Sequence, residues 1–109
     1  MKYMLLIHAP ADGEADPEML SRHQAFAEAT GRRGKLVAAG ELSDAADATT
    51  VRRVNNQTIV TDGLHAETKE HLGGYYIIEC SDLDEALTVA SDVPLVDGGS
   101  VEIRPLVER

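Results

Sequence analysis

The densest group of chemically capable side chains lies between Asp62 and Tyr76. This stretch holds a turn, then His65, Glu67 and Lys69, and a double glycine just before an apolar run. Loops laid over a rigid scaffold carry binding and catalytic groups more often than the elements they join. We therefore predict a site loop, with Asp62 as a catalytic residue and with His65 and Lys69 binding a ligand. A solvated surface loop without a site is the alternative.

A second catalytic candidate is His23, which lies four residues after Met19 and three before Phe26. Residues three and four apart share a helix face, so the imidazole falls on the apolar stripe of the first predicted helix. An imidazole partly removed from water and close to a carboxylate titrates near neutral pH and can move protons. The alternative is a structural histidine at the edge of the stripe.

Two further candidates for ligand binding are His8 and Tyr75. His8 ends the first predicted strand and Asp62 the fourth, so both would face a cleft at one rim of the sheet, provided that the strands share that rim. Tyr75 and Tyr76 are consecutive in one strand and therefore point to opposite faces. One hydroxyl would then reach a ligand, although packing in the core or at an interface also explains both rings.

Two arginines, Arg52 and Arg104, project from predicted strands with apolar neighbours. The planar guanidinium of either could hold a carboxylate of a ligand. An ion pair with Glu102 or Glu41 explains them equally well. We favour the ion pair for Arg104 and keep Arg52 as a candidate for ligand binding.

The spacings that mark metal, nucleotide and serine-nucleophile sites are missing from the sequence. It has no His-Glu-x-x-His or paired-cysteine spacing, and Gly73-Gly74 precedes a strand rather than opening a helix. It has no Gly-x-Ser-x-Gly elbow either. We therefore predict neither a metal nor a cofactor.

Composition limits the partners and the location. The 109 residues carry 19 acidic and 10 basic side chains, a formal charge of -9, which disfavours nucleic acid and anionic membranes. The length predicts one domain over residues 1–109, and the single Cys80 suits a small buried residue better than a reactive thiolate. Because the apolar runs are too short for a membrane span or a secretory signal, we expect a soluble, cytoplasmic protein.

Hydrophobic periodicity and turn residues predict the elements that must position these candidates. Asp16-Pro17 opens the first predicted helix, and Ser81 forms a capping box with Asp84 before the second. The predicted helices cover residues 19–30 and 83–90. The predicted strands cover residues 3–7, 36–39, 49–54, 57–61, 74–80 and 100–106.

The order of these elements predicts an α+β fold, the ferredoxin-like split βαβ arrangement with added hairpin strands in the middle. Asn55-Asn56 tolerates the positive φ that the hairpin turn needs. Two helices cover only one face of such a sheet, yet the strands at residues 4–7 and 75–78 are apolar on both faces. We therefore predict a homodimer with two-fold symmetry, in which a second copy covers the open face.

Several short segments together are distinctive: Asp-Gly at 62–63, Ala-Glu-Thr-Lys-Glu at 66–70, Leu-Gly-Gly-Tyr-Tyr at 72–76, Leu-Asp-Glu-Ala at 83–86 and Gly-Ser-Val-Glu-Ile-Arg-Pro at 99–105. In this combination the chain closely resembles the YCII-related family, in its DGPF subgroup. The resemblance implies a dimeric α/β barrel. The subgroup usually reads Asp-Gly-Pro-Phe, whereas this chain has Leu64-His65. Losing the proline loosens the turn, and His65 replaces an aromatic ring expected to close a pocket.

The resemblance also has implications for function. Some relatives are proposed to use a histidine of the first helix with a nearby acid, and this carries over to His23 alone. A few resemble small-molecule isomerases or lyases, and some DGPF proteins occur beside or fused to extracytoplasmic-function sigma factors. We therefore expect a small dimeric protein that binds a small organic ligand and catalyses cofactor-free acid/base chemistry of the isomerase or lyase type. The alternative is a non-catalytic regulatory module associated with such a sigma factor.

Overall fold

A computed structural model of the chain describes residues 1–13, 15–64 and 70–109. The described residues form strands β1 (Lys2–Pro10), β2 (Leu36–Glu41), β3 (Thr49–Val54), β4 (Gln57–Asp62), β5 (Glu70–Glu79) and β6 (Ser100–Pro105). Two helices, α1 (Met19–Arg32) and α2 (Leu83–Ala90), and a 3-10 turn at Ala45–Asp47 complete this order. His65 and Lys69 lie outside the described residues, so their roles stay predictions.

Four strands form one sheet in the order β2-β5-β1-β6, and each neighbouring pair is antiparallel. This order, with helices after β1 and β5, is that of a ferredoxin-like α+β fold, which confirms the predicted class. The two added strands do not extend the sheet, because β3 and β4 form a separate two-stranded sheet. We call this hairpin, residues 49–62, the arm.

The core lies on one face of the four-stranded sheet, under both helices. Its sheet side consists of Tyr3 and Leu5 from β1 and of Tyr76 and Ile78 from β5, all buried. Phe26 of α1 and Ala86 and Val89 of α2 pack on them. Cys80 is buried beside this cluster, and burial raises the pKa of its thiol, as expected for a structural cysteine.

The opposite face carries Met4 and Leu6 of β1 and Tyr75 and Ile77 of β5, which are half-buried. No helix lies over them in the described portions, because both α1 and α2 pack on the core face. The molecule is correspondingly flat, with principal extents of 46 × 40 × 19 Å. No described helix is both long and apolar enough to cross a membrane.

The arm turns at Asn55 and Asn56, whose φ angles are 50° and 65°. Two consecutive residues with positive φ give the backbone twist that a two-residue hairpin requires, so the predicted turn is confirmed. The arm exposes an apolar cross-strand pair, Val51 and Val60, with 64% and 61% of their surfaces in solvent.

Strand β5 begins at Glu70, four residues earlier than predicted, because the double glycine lies inside the strand. Ile7 of β1 pairs with Gly74 and His8 pairs with Leu72, so Gly73 is the extra residue of a β-bulge. Strand β1 likewise runs on to Pro10, and His8 lies within it rather than at its end.

Both helices begin at the predicted residues, but both predicted N-caps were wrong. Asp16 and Pro17 belong to a turn closed by the bond from Met19 N to Asp16 O (3.0 Å), so α1 begins two residues after the proline. At α2 the N-cap is Asp82, whose carboxylate accepts from Glu85 N at 2.9 Å. Glu85 in turn accepts from Ser81 N at 3.0 Å, so the capping box uses Asp82 and Glu85 rather than Ser81 and Asp84.

Candidate functional site

A cavity of about 560 Å³ lies on the core side of the sheet, at the end where β1 finishes and β5 begins. Its floor consists of residues 7–9 of β1, 39–41 of β2 and 73–76 of β5. Helix α1 forms one wall, and the segment 94–96 after α2 also lines the cavity. A concave, mostly apolar volume of this size suits a small organic molecule.

Helix α1 places His23 in the cavity wall. Met19, His23 and Ala27 all line the cavity and follow one another at intervals of four, which puts them on one helix face. The predicted position of His23 on the inner stripe of the helix is therefore confirmed. The ring is half-buried, between the helix and strand β5.

Tyr76 of β5 holds the imidazole. Its hydroxyl oxygen lies 2.7 Å from His23 Nδ1, and the two rings stack with centroids 5.9 Å apart and planes 24° apart. Phe26 also packs against Tyr76, with ring centroids 4.8 Å apart. The imidazole is thus fixed by one short hydrogen bond and by ring contacts.

The protonation states of this pair follow from its burial. Burial lowers the pKa of the His23 imidazole below its ordinary value of 6.5, and the Glu41 carboxylate opposes that shift without cancelling it. Burial raises the pKa of the Tyr76 hydroxyl above its ordinary value of 10.0. At neutral pH the ring is therefore mainly neutral and the tyrosine keeps its proton.

The hydroxyl proton of Tyr76 determines which tautomer the His23 ring adopts. The Tyr76 hydroxyl has two acceptors nearby, His23 Nδ1 at 2.7 Å and the His23 carbonyl oxygen at 3.5 Å. A distance of 3.5 Å is too long for an effective O–H···O hydrogen bond, so we assign the hydroxyl proton to the contact with Nδ1. The neutral ring then carries its own proton on Nε2, and Nε2–H is the group left to donate to a ligand.

Glu41 supplies a carboxylate at the same place. It ends strand β2, lines the cavity and is exposed at its mouth. In the sheet, Glu41 pairs with Gly74. Ala39, two residues before Glu41 in the same strand, pairs with Tyr76. Side chains two apart share a face, so Glu41 lies on the side of the sheet that carries Tyr76 and His23.

Two glycines allow close contacts between strands β2 and β5. A Cβ at Gly40 would lie 2.6 Å from Cε1 of the Tyr75 ring, and a Cβ at Gly74 would lie 2.8 Å from the carbonyl oxygen of Gly40. The Tyr75 ring therefore rests directly on the backbone of the neighbouring strand, a contact that only glycine permits.

Of the predicted site residues, His23 lies in the cavity wall. His8 and Tyr75 belong to the strands of the cavity floor, but their side chains lie on the open face of the sheet. Asp62 and Arg52 belong to the arm and do not line the cavity. Their catalytic and binding roles stay predictions.

The structure also decides between the alternatives for Arg104. Arg104 Nε lies 2.7 Å from Glu102 Oε2, which confirms the ion pair favoured from the sequence. His8 Nε2 lies 3.5 Å from the other oxygen of Glu102, so this carboxylate connects β1 and β6 on the open face of the sheet.

Two residues of this site were missed in the sequence. Tyr76 was assigned to packing, and Glu41 was considered only as a partner of an arginine. The signal for Glu41 was its place after Gly40 at the end of a strand, the kind of position that drew attention to His8. Within residues 1–13, 15–64 and 70–109, no three His, Cys, Asp or Glu side chains gather as a metal ion would require.

Comparison with known proteins finds a matching family model and one similar protein. Residues 1–109 match the model of the YCII-related domain family. The chain is also 47% identical, over 75 residues, to an uncharacterized protein of Rhizobium meliloti (strain 1021). That match covers 67% of this chain and 60% of the relative, so the relative is the longer protein.

Proposed function

Because the chain belongs to the YCII-related domain family, we propose that it binds a small organic molecule in the cavity and catalyses a cofactor-free proton transfer of the isomerase or lyase type. The observation that carries this proposal is the 2.7 Å contact between the Tyr76 hydroxyl and His23 Nδ1. It leaves a neutral, oriented imidazole in the wall of a mostly apolar cavity, beside the carboxylate of Glu41.

The two groups divide the chemistry between them. The Glu41 carboxylate is the general base and takes a proton from a carbon next to a carbonyl group of the ligand. As the electron pair moves onto the carbonyl oxygen, His23 Nε2–H donates a hydrogen bond to that oxygen. A neutral imidazole suits this step, because it polarises the carbonyl without the cost of burying a full charge.

The same intermediate leads to either product class. If the ligand has a carbon–carbon double bond next to this carbon and Glu41 returns the proton to the far end of that bond, the double bond moves and the reaction is an isomerisation. If a leaving group on the adjacent carbon departs with its electron pair, the reaction is an elimination, and the proton on Glu41 passes to the leaving group or to water. Both outcomes balance without an oxidant, a reductant or a cofactor.

The proposal includes a homodimer. The open face carries Met4, Leu6 and Ile77 with no helix over them in the described portions, and the arm exposes Val51 and Val60. A second copy packed sheet to sheet, with each arm lying along its partner, would remove these apolar side chains from water. Such an assembly would be the dimeric α/β barrel that the family resemblance implies. The proposed location of this dimer is the cytoplasm.

The test is exchange of carbon-bound hydrogen for deuterium in D₂O, followed by proton NMR on a panel of lactones and hydroxylated aromatics. We expect the protein to accelerate exchange of at least one compound. His23→Ala and Glu41→Gln should each slow it by about a hundredfold or more, the usual contribution of a general acid or base. Unchanged exchange in His23→Ala would remove this residue from the mechanism.

Two controls locate the effect. Glu28→Gln makes the same chemical change on the exposed side of α1, where Glu28 pairs with Arg32, and should leave exchange unchanged. Asp62→Asn tests the arm residue predicted from the sequence. A loss with Asp62→Asn and none with Glu41→Gln would return the role of general base to Asp62.

The second candidate function is a regulatory module that binds a sigma factor, favoured by the formal charge of -9. An acidic surface attracts basic DNA-binding helices, and this attraction weakens as salt rises. Salt-sensitive co-purification with an extracytoplasmic-function sigma factor, together with no exchange on the panel, would favour this function over the first.

A further inference from the structure

Among the described residues that line the cavity, the acidic and basic side chains all have one sign. Two carboxylates line it, those of Asp16 and Glu41, and the lining that the structure describes includes no lysine or arginine. Asp16 is already engaged, because it accepts from Glu18 N at 2.9 Å and lies 3.7 Å from Arg22 Nη1. Glu41 makes no ion pair with the described part of the chain.

We infer that the cavity takes uncharged or cationic ligands and rejects anions, and that Glu41 sets this preference. The inference rests on the proposed ligand-binding function and specifies its substrate class. The preferred ligand has an apolar body with one carbonyl, hydroxyl or amine group. A carboxylate or phosphate ester of the same size is excluded.

The walls of the cavity are mostly apolar. Met19, Leu20, Ala27, Leu95 and Val96 surround the ligand with apolar surface, which replaces water around a bound charge without replacing its hydrogen bonds. An anion would lose hydration and also meet the Glu41 carboxylate at close range. The charge of -9 on the whole chain adds repulsion of the same sign at longer range.

Because His23 is neutral, it does not offset the repulsion between an anionic ligand and Glu41. A protonated imidazole would attract an anion, but burial lowers the pKa of His23, and Tyr76 donates to Nδ1. The ring offers a neutral Nε2–H, which bonds to a carbonyl or hydroxyl oxygen as well as to a carboxylate. An amine, in contrast, gains a charge-assisted hydrogen bond to Glu41.

Three probes with a common benzyl group test this preference: 2-phenylethylamine, 2-phenylethanol and phenylacetate. Binding to the full chain is measured at pH 7.5 by isothermal titration calorimetry and by NMR shifts of the His23 ring. We expect phenylacetate to bind at least about tenfold more weakly than 2-phenylethanol, a difference of about 1.4 kcal/mol, and the amine to bind at least as tightly as the alcohol.

Glu41→Gln isolates the residue. This variant should weaken the amine and strengthen phenylacetate, so that the ratio of their dissociation constants moves by about tenfold or more toward one. Glu28→Gln, with the same charge change on the outer side of α1, should leave the ratio unchanged. An unchanged ratio in Glu41→Gln, or phenylacetate binding as tightly as the alcohol, would overturn the inference.

The outcomes separate this inference from the proposal on which it rests. If phenylacetate binds well in the cavity, the ligand class is wrong while a ligand-binding function stands. If none of the probes shifts the His23 ring, the cavity is not a ligand site for molecules of this shape, and the proposed function and the inference fall together.

Discussion

The body of the molecule, which is the four-stranded sheet with its two helices, and the arm are both built from antiparallel strands but are held in different ways. In the body, Leu5 and Ile78 are 0% exposed, between strand neighbours and helices. In the arm, each strand has one neighbour, and Val51 and Val60 face solvent. An isolated two-stranded hairpin is marginal in water, so the arm needs support that its own pairing does not give.

The comparison explains where the candidate site lies. A site needs side chains held within a fraction of an ångström, and the body supplies this for His23 through α1 and Tyr76. Asp62 and Arg52 share one hairpin with few neighbours. Residue types alone pointed both to His23 in the body and to Asp62 and Arg52 in the arm. The packing around these residues favours the site at His23.

The largest expected effect is in the body. Leu5→Ala removes a fully buried side chain and should lower the free energy of unfolding by about 3 kcal/mol, through lost burial and the cavity left behind. Urea unfolding followed by circular dichroism measures it. Val51→Ala in the arm should cost less than about 0.5 kcal/mol in dilute protein. Equal losses in the free energy of unfolding for the two variants would contradict the proposed difference between the body and the arm.

The second prediction tests the support of the arm. Val60→Lys places a charge on its exposed apolar face, and should weaken self-association by about tenfold or more if a second copy covers that face. Sedimentation across a range of protein concentrations measures the change. Gln57→Lys adds the same charge at the exposed end of the arm and should have a smaller effect. Single chains in the unmodified protein at every concentration would contradict the homodimer.

The third prediction concerns the contact between Tyr75 and strand β2 on the open face of the sheet. Gly40→Ala forces the Tyr75 ring away, because the new Cβ would lie 2.6 Å from Cε1, and should destabilise the fold by about 1 to 3 kcal/mol. Gly31→Ala is the matched control, since nothing lies within 4 Å of a Cβ there. It should stabilise α1 by about 0.5 to 1 kcal/mol. Thermal unfolding of both variants would show opposite shifts.

The smallest effect is the pH dependence from His23. In the unfolded chain its pKa is near the ordinary 6.5, and in the folded chain it is lower. Between these two values the unfolded state binds more protons, so stability rises with pH in that window. The contribution is fully present above 6.5 and is lost as pH falls through the lowered pKa.

The measurement is urea unfolding at a series of pH values from about 5 to 8, a range in which an ordinary histidine titrates. His23→Gln should show a shallower loss of stability on the acid side than the unmodified chain. Parallel curves for the two proteins would mean that the folded pKa of His23 is not lowered.

Much of the fold could be predicted because its signals are local. Helical spacing identified the inner stripe of α1, and Asn55-Asn56 identified the turn of the arm. The early start of β5 could not be predicted, because Gly73-Gly74 is unfavourable in a regular strand and only pairing with β1 shows that a bulge accommodates it. Local sequence carries no trace of that pairing.

The site was less predictable than the fold, since it depends on residues that are distant in the sequence. Tyr76 meets His23 only because β5 lies under α1, a contact between residues 53 positions apart. Glu41 reaches the same place because β2 pairs with β5 in one register. The charged segment at 62–69 was conspicuous by composition, and composition does not report distance.

The glycine beneath Tyr75 has a consequence for folding fidelity. Strand β2 is at the edge of the sheet, where an alignment error would be easy, since only one neighbour constrains it. If β2 slipped by one position against β5, Ala39 or Glu41 would come opposite Tyr75, and a side chain would occupy the space of the ring. Because Gly40 lacks a Cβ, only the native register of β2 against β5 leaves room for the Tyr75 ring. Gly40 therefore disfavours misaligned pairing of the two strands.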